Sequence, residues 1–180
     1  FADGAFLIFL GSTQQVFDVI YGRADQFAVL FAASAAVMAL GFIGVNPAIG
    51  RWGAHRVGLF VLTTAVALAA TLLTLTLAAG GTPGFWTWFC LVVASNTFLV
   101  LVTPVAMSRA LEPLGDVAGT AAGVLGLVTL TGASLLAAVV GMRIEASTTP
   151  WAVGYLFYGT IALGLLVAAG RTPEPVPDTT

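Results

Sequence analysis

Residues 46–56 read NPAIGRWGAHR, and this stretch decides what kind of chain surrounds it. It is short, basic and rich in turn formers, and it interrupts long apolar runs on either side. Arg51, His55 and Arg56 fall inside it. A short loop with that charge bias sets which side of a membrane it occupies, because arginines in brief connections stay on the cytoplasmic side.

The composition around it supports that setting. The chain has 180 residues, of which 59% are hydrophobic and 8% charged. A soluble domain carries about 25% charged residues to cover its exterior, so the solvent expected for this chain is lipid. The net charge of -2 says little when charges are this few. All six basic residues are arginine. The single cysteine, Cys90, excludes a disulfide framework or a paired-cysteine metal site and is expected to be a small apolar packing residue. The chain opens in mid-hydrophobic sequence, FADGAFLIFLG, with no start methionine or signal-peptide pattern. That opening suggests a fragment lacking its N-terminal part.

A spanning helix needs about 20 mainly apolar residues. Segments at about 1–17, 27–49, 57–79, 85–107, 118–141 and 151–169 meet or approach that length. The fold expected is therefore all-α, a polytopic membrane helix bundle of six transmembrane helices over residues 1–170. The Pro-rich tail at 171–180, RTPEPVPDTT, is expected to be a disordered cytoplasmic end. Connections are short. Those after the second and fourth segments, with the tail, carry Arg51, Arg56, Arg109 and Arg171, against Arg23 and Arg143 on the other side. The bias places the C-terminus in the cytoplasm. Trp86, Trp88, Trp151 and Tyr21 fall near the opposite ends and are expected as interfacial anchors.

Polarity divides the helices. The third and sixth segments hold only Thr or Tyr as polar groups and are expected at the periphery. The first, fourth and fifth hold Asp3, Gln14, Gln15, Asn96, Pro104 and Thr129 and are expected inside. Gly119, Gly123 and Gly126 on the fifth would let helix backbones approach closely.

Asp3 is the carboxylate that sits inside an apolar segment. A charge at bilayer depth costs at least a few kcal/mol, so such acids are paired, protonated or functional. It is the candidate for proton or cation coupling. Gln14, Gln15, Asn96, Met107 and Thr129 are candidates to line a cavity, and Phe6, Phe9 and Phe98 could supply apolar walls. Hydrogen bonding between helices is the competing role for the amides. No Walker loop, HExxH motif or catalytic triad can be assembled around one histidine. The chain is not expected to be an enzyme, to bind a metal or to contact nucleic acid. His55 is expected to be a solvated loop residue.

Three stretches then carry a resemblance. YGRADQFAVLFAASAAVMALGFIG at 21–44, RWGAHR at 51–56 and AGTAAGVLG at 118–126 together resemble the C-terminal half of a major facilitator superfamily transporter, most like the Bcr/CflA drug–proton antiporters. In that resemblance the segments are helices 7–12 of a twelve-helix fold, and RWGAHR is the second copy of the Arg-x-Gly-x-x-Arg loop. The loop departs from the family pattern at Asn46 and Gly50, and Val105 and Thr129 depart elsewhere. The resemblance implies proton-coupled efflux of small organic compounds by alternating access in a bacterial inner membrane. Arg51, Gly53 and Arg56 would form the gating loop. No cofactor beyond the proton gradient is implied. The partners implied are an N-terminal six-helix half, the lipid bilayer and a small-molecule substrate. A non-transporting six-helix membrane protein that binds partners, or a complete small transporter that dimerises, are the alternatives.

Overall fold

The computed structural model describes residues 2–104, 106, 118–141 and 147–169. Among them run six α-helices: α1 Ala2–Gln15, α2 Phe27–Trp52, α3 Ala54–Ala78, α4 Phe85–Val100, α5 Ala118–Gly141 and α6 Thr149–Ala169. The chain is an all-α, multi-pass membrane bundle of about six helices. Among the described residues four stretches are long and apolar enough to cross a bilayer: Ala24–Trp52, Ala54–Ala78, Phe85–Pro104 and Thr149–Ala169. Met107, Arg109, Arg143 and the tail from 171 lie outside the described residues.

The core forms where regularly spaced side chains meet. On α3, Val57, Val61, Ala65, Ala69, Leu72 and Thr76 are buried. Their spacing of three or four residues makes one stripe, and it packs most extensively on α6, then on α4. Small Ala65 and Ala69 in mid-stripe let the neighbouring helices come near. One close approach is at Gly159 of α6, where an added Cβ would lie 3.2 Å from Val66 Cγ2 and 3.6 Å from Leu99 Cδ2. A second is at Gly41 of α2, whose added Cβ would meet Thr97 Cγ2 at 3.1 Å and Leu101 Cδ1 at 3.2 Å. In lipid, such van der Waals contact replaces the missing hydrophobic drive between helices.

Threonine hydroxyls on the outward faces satisfy themselves locally. Thr64 donates to the Phe60 carbonyl at 2.8 Å, Thr71 to Ala67 at 2.9 Å and Thr160 to Leu156 at 2.6 Å. That is why these residues are tolerated facing hydrocarbon.

One end of the bundle is closed by aromatic rings. After α1 the chain makes a π-helical turn, Val16–Ile20, which places Phe17 against Phe85 at 5.1 Å, Phe27 at 5.6 Å and Trp88 at 6.0 Å between ring centroids. Tyr21 donates to the Pro83 carbonyl at 2.9 Å, Gly22 takes φ 61°, and the Arg23 guanidinium lies 4.6 Å from the Phe85 ring centre. The Tyr-Gly-Arg stretch therefore acts as a clasp. At the same end, Thr148 of the turn before α6 donates both its N–H (3.0 Å) and its hydroxyl (3.1 Å) to the Gly81 carbonyl. Asp3, Gly53 and Thr103 mark the other end.

The structure corrects several expectations. Residues 46–56 are not a loop. Helix α2 runs through Pro47 to Trp52, and α3 starts at Ala54, leaving Gly53 as the whole break. Gly53 adopts φ 81° and ψ 148°. Its N–H bonds the Ile49 carbonyl at 2.9 Å, and its carbonyl accepts from Val57 at 3.2 Å, so one residue caps both helices. His55 accordingly sits half-buried in the first turn of α3.

The helices expected at the periphery are not peripheral: α3 packs tightly on both α6 and α4, and α6 reaches α4 through Trp151 on Trp88 and Tyr155 on Asn96. By contrast α5, expected inside, leaves most of its described side chains exposed. An added Cβ at Gly119, Gly123 or Gly126 would meet nothing within 4 Å. Trp86 is 56% exposed, as an anchor requires, but Trp88 and Trp151 are fully buried and meet edge-to-face at 5.4 Å. Cys90 is exposed and not a packing residue.

Candidate functional site

Asp3 stands in the first turn of α1, where the helix dipole favours a carboxylate. It is half-buried, and its Oδ1 accepts a hydrogen bond from Thr103 Oγ1 at 3.0 Å. Thr103 comes from the end of the α4 span, immediately before Pro104. The sequence offers no sign of this partner, because the two residues are a hundred positions apart. A hydroxyl opposite a carboxyl has a specific consequence. It donates to the ionised acid, and by rotating it can accept from the protonated acid. The geometry of the pair thus suits either charge state of a carboxyl.

Asn96 lies elsewhere in the bundle and does something different. It is fully buried on α4. Its Oδ1 accepts from Tyr155 Oη on α6 at 3.1 Å, and its Nδ2 is 3.8 Å from Met38 Sδ on α2. The side chain is thus a three-helix tie, held inside the protein and not on an open wall. Tyr155, fully buried on a helix expected at the periphery, is the partner missed from sequence. A tyrosine embedded in an apolar segment was the available signal, since a buried hydroxyl seeks an acceptor.

Gln14 and Gln15 are exposed at the far end of α1. Eleven residues of helix separate Gln14 from Asp3, about 16 Å along the axis, so the amides and the carboxylate do not converge. Thr129 is half-buried on α5, which packs chiefly against α1. Phe9 is buried and stacks on Phe31 at 5.5 Å, whereas Phe6 and Phe98 are half-buried. Met107 lies outside the described residues. Among the described residues no three His, Cys, Asp or Glu side chains are grouped to hold a metal ion.

At the Asp3 end, Arg51 and Arg56 flank Gly53, both exposed. Arg51 is in the last turn of α2, where its charge complements the carbonyl end of the helix. Arg56 is in the first turn of α3, the end whose dipole does not favour a cation. Of the two, Arg51 alone stands at a helix C-terminus.

The outer faces of α2 and α5 are strongly apolar and uncovered. Leu40 and Ile43 on α2 are 68% and 70% exposed, and Leu127 on α5 is 69% exposed. Side chains of that kind belong against lipid or another membrane-embedded element.

No protein-family model matches the chain, and no solved structure matches it. Among curated proteins it is 29% identical, over 184 residues, to "Uncharacterized MFS-type transporter YdgK" of Bacillus subtilis (strain 168). The match covers 98% of this chain and 42% of that protein, so the chain spans less than half the length of its curated relative.

Proposed function

We propose that the chain is the C-terminal half of a secondary active transporter of the major facilitator type. It would export small organic compounds in exchange for protons, as the Bcr/CflA-like stretches imply. The observation that carries the reading is the 29% identity to an MFS-type transporter, sustained over 98% of the chain. It supports a transport protein in place of an enzyme.

In this reading the six helices rock as a body against a partner half, with substrate held between them. The uncovered faces of α2 and α5 support such a partner, because they present apolar area without a protein neighbour. Asp3 takes the proton. Its bond to Thr103 survives either charge state, so protonation changes the charge at the end of α1 without freeing the helix from α4. Gly53 lets α2 and α3 turn about one residue, and Arg51 and Arg56 move with that turn on the cytoplasmic side of a bacterial inner membrane.

The test is Asp3→Asn in the full-length protein, assayed by proton-gradient-driven efflux across a pH series. Asparagine keeps a hydrogen bond to Thr103 but cannot titrate, so export should lose its dependence on the gradient while the protein remains folded. An unchanged pH profile would remove Asp3 from the coupling step. A protein that moves no compound in either form would favour the non-transporting alternative, in which polar groups such as Asn96 serve helix packing alone.

A further inference from the structure

Between α2, α3 and α4 runs a groove of about 710 Å³. Buried Val45, Val57 and Val61 belong to its lining, and exposed Val37 and Phe60 form part of its walls. Thr97 also lines it, yet its hydroxyl is turned onto the Val93 carbonyl at 2.8 Å and is not offered to the groove. Gly41 and Gly44 contribute no side chain to the lining, and depth comes from Gly44, where an added Cβ would meet nothing within 4 Å. From Val37 to Trp52 the groove follows fifteen residues of α2, about 22 Å. One leaflet of hydrocarbon is about 15 Å deep, half of a bilayer core.

The chemistry is asymmetric. Among the described residues Arg56 is the only charged one lining the groove, and Trp52 also lines it, 64% exposed. Among the described residues no carboxylate lines the groove, and no hydrogen bond or ion pair engages Arg56. An apolar trough more than a leaflet long, ending on a guanidinium and an indole, matches an amphiphile with a long hydrocarbon tail and a negative head. An arginine also favours phosphate specifically, through paired N–H donors. A helix of a partner protein would need a carboxylate placed at that one end to satisfy both, whereas an anionic lipid carries tail and charge in one molecule.

We propose that this groove binds an anionic phospholipid, with one acyl chain lying along Gly41 and Gly44 and the phosphate held by Arg56. The site depends on embedding in a membrane and not on the transport reading, so it can fail or stand independently of it.

The experiment is native mass spectrometry of the full-length protein in detergent, titrated with phosphatidylglycerol or phosphatidylcholine of identical acyl chains. Wild type should retain the anionic lipid about fivefold better, the worth of one arginine against anionic lipid. Arg56→Gln should abolish that preference. Arg23→Gln, which removes a charge at the opposite end of the bundle, should leave it intact. Gly44→Leu should reduce retention of both lipids by filling the trough. Equal retention of the two lipids by wild type overturns the proposal, as does a preference that persists in Arg56→Gln. If Gly44→Leu leaves lipid retention unchanged but weakens binding of an exported compound, the groove is a substrate surface and the proposal falls.

Discussion

Replacing Gly53 with alanine isolates the joint between α2 and α3. With φ at 81° and ψ at 148°, the residue lies in a region that is essentially confined to glycine, where an L side chain adds about 1–3 kcal/mol of strain. Space is not the obstacle, because the new methyl would meet nothing within 4 Å. The effect is therefore torsional. Against it, alanine restricts the unfolded chain and returns about 0.4–1 kcal/mol, which leaves a net loss of up to about 2.6 kcal/mol. Gly50, three positions earlier, provides the control. It is helical, and its added methyl also meets nothing within 4 Å. There the same chemical change should stabilise by about 0.5–1 kcal/mol, the ordinary helix preference of alanine over glycine. The assay is the apparent melting temperature of each purified variant in one detergent, followed by tryptophan fluorescence. Gly53→Ala should melt below wild type and Gly50→Ala above it. If both variants shift in the same direction, or Gly53→Ala matches wild type, the one-residue joint is not what separates the two helices.

Asn96→Leu should destabilise by about 1–3 kcal/mol, because it leaves the buried Tyr155 hydroxyl without its acceptor. Adding Tyr155→Phe should recover much of that loss, and a double variant no better than the single would deny the tie. Gly81→Ala should lower the melting temperature further than Gly53→Ala does. At Gly81, φ is 101° and the new Cβ would also lie 2.6 Å from Ser147 Oγ; adding Ser147→Ala should relieve part of the defect but not its torsional share. Burial pushes the Tyr21 phenol up from 10.0 to about 12, so the folded state holds that proton more tightly than the unfolded one. The stability it contributes is complete below pH 10 and is lost as pH rises to about 12. Tyr21→Phe should flatten the fall of melting temperature across that window, and an identical alkaline slope in the variant would contradict the assignment.

Much of the architecture is legible in the residues alone. A chain that is 59% hydrophobic and 8% charged cannot coat itself for water, and its apolar runs have the length a bilayer requires. Gly53 also stands out, because a glycine between two long helical segments is where a backbone can take a positive φ. What misleads is the density of turn formers around it. Asn46, Pro47 and Gly50 suggest a loop, yet α2 passes through all three, since a helix fixed by packing and by its own backbone bonds absorbs residues of low propensity. Asp3 is conspicuous as an acid in an apolar segment, but its candidacy gains chemical content only from Thr103.

Solvent, all-helical class and approximate spans follow from the order of residues, because they depend on composition and on the length of apolar runs. Which polar groups meet, as in Asp3 with Thr103 and Asn96 with Tyr155, was settled only by the packing of the helices. Packing alone makes Trp88 and Trp151 core, and brings helices close at Gly41 and Gly159 but not at Gly119 or Gly123. The difference comes from the solvent. In a soluble helix the buried stripe is apolar and the exposed face polar, so periodicity reports which side packs. A membrane helix is apolar on both sides, because lipid and protein neighbours demand the same side chains. Its pattern then carries no record of which face is covered, and that choice is made only when the helices pack.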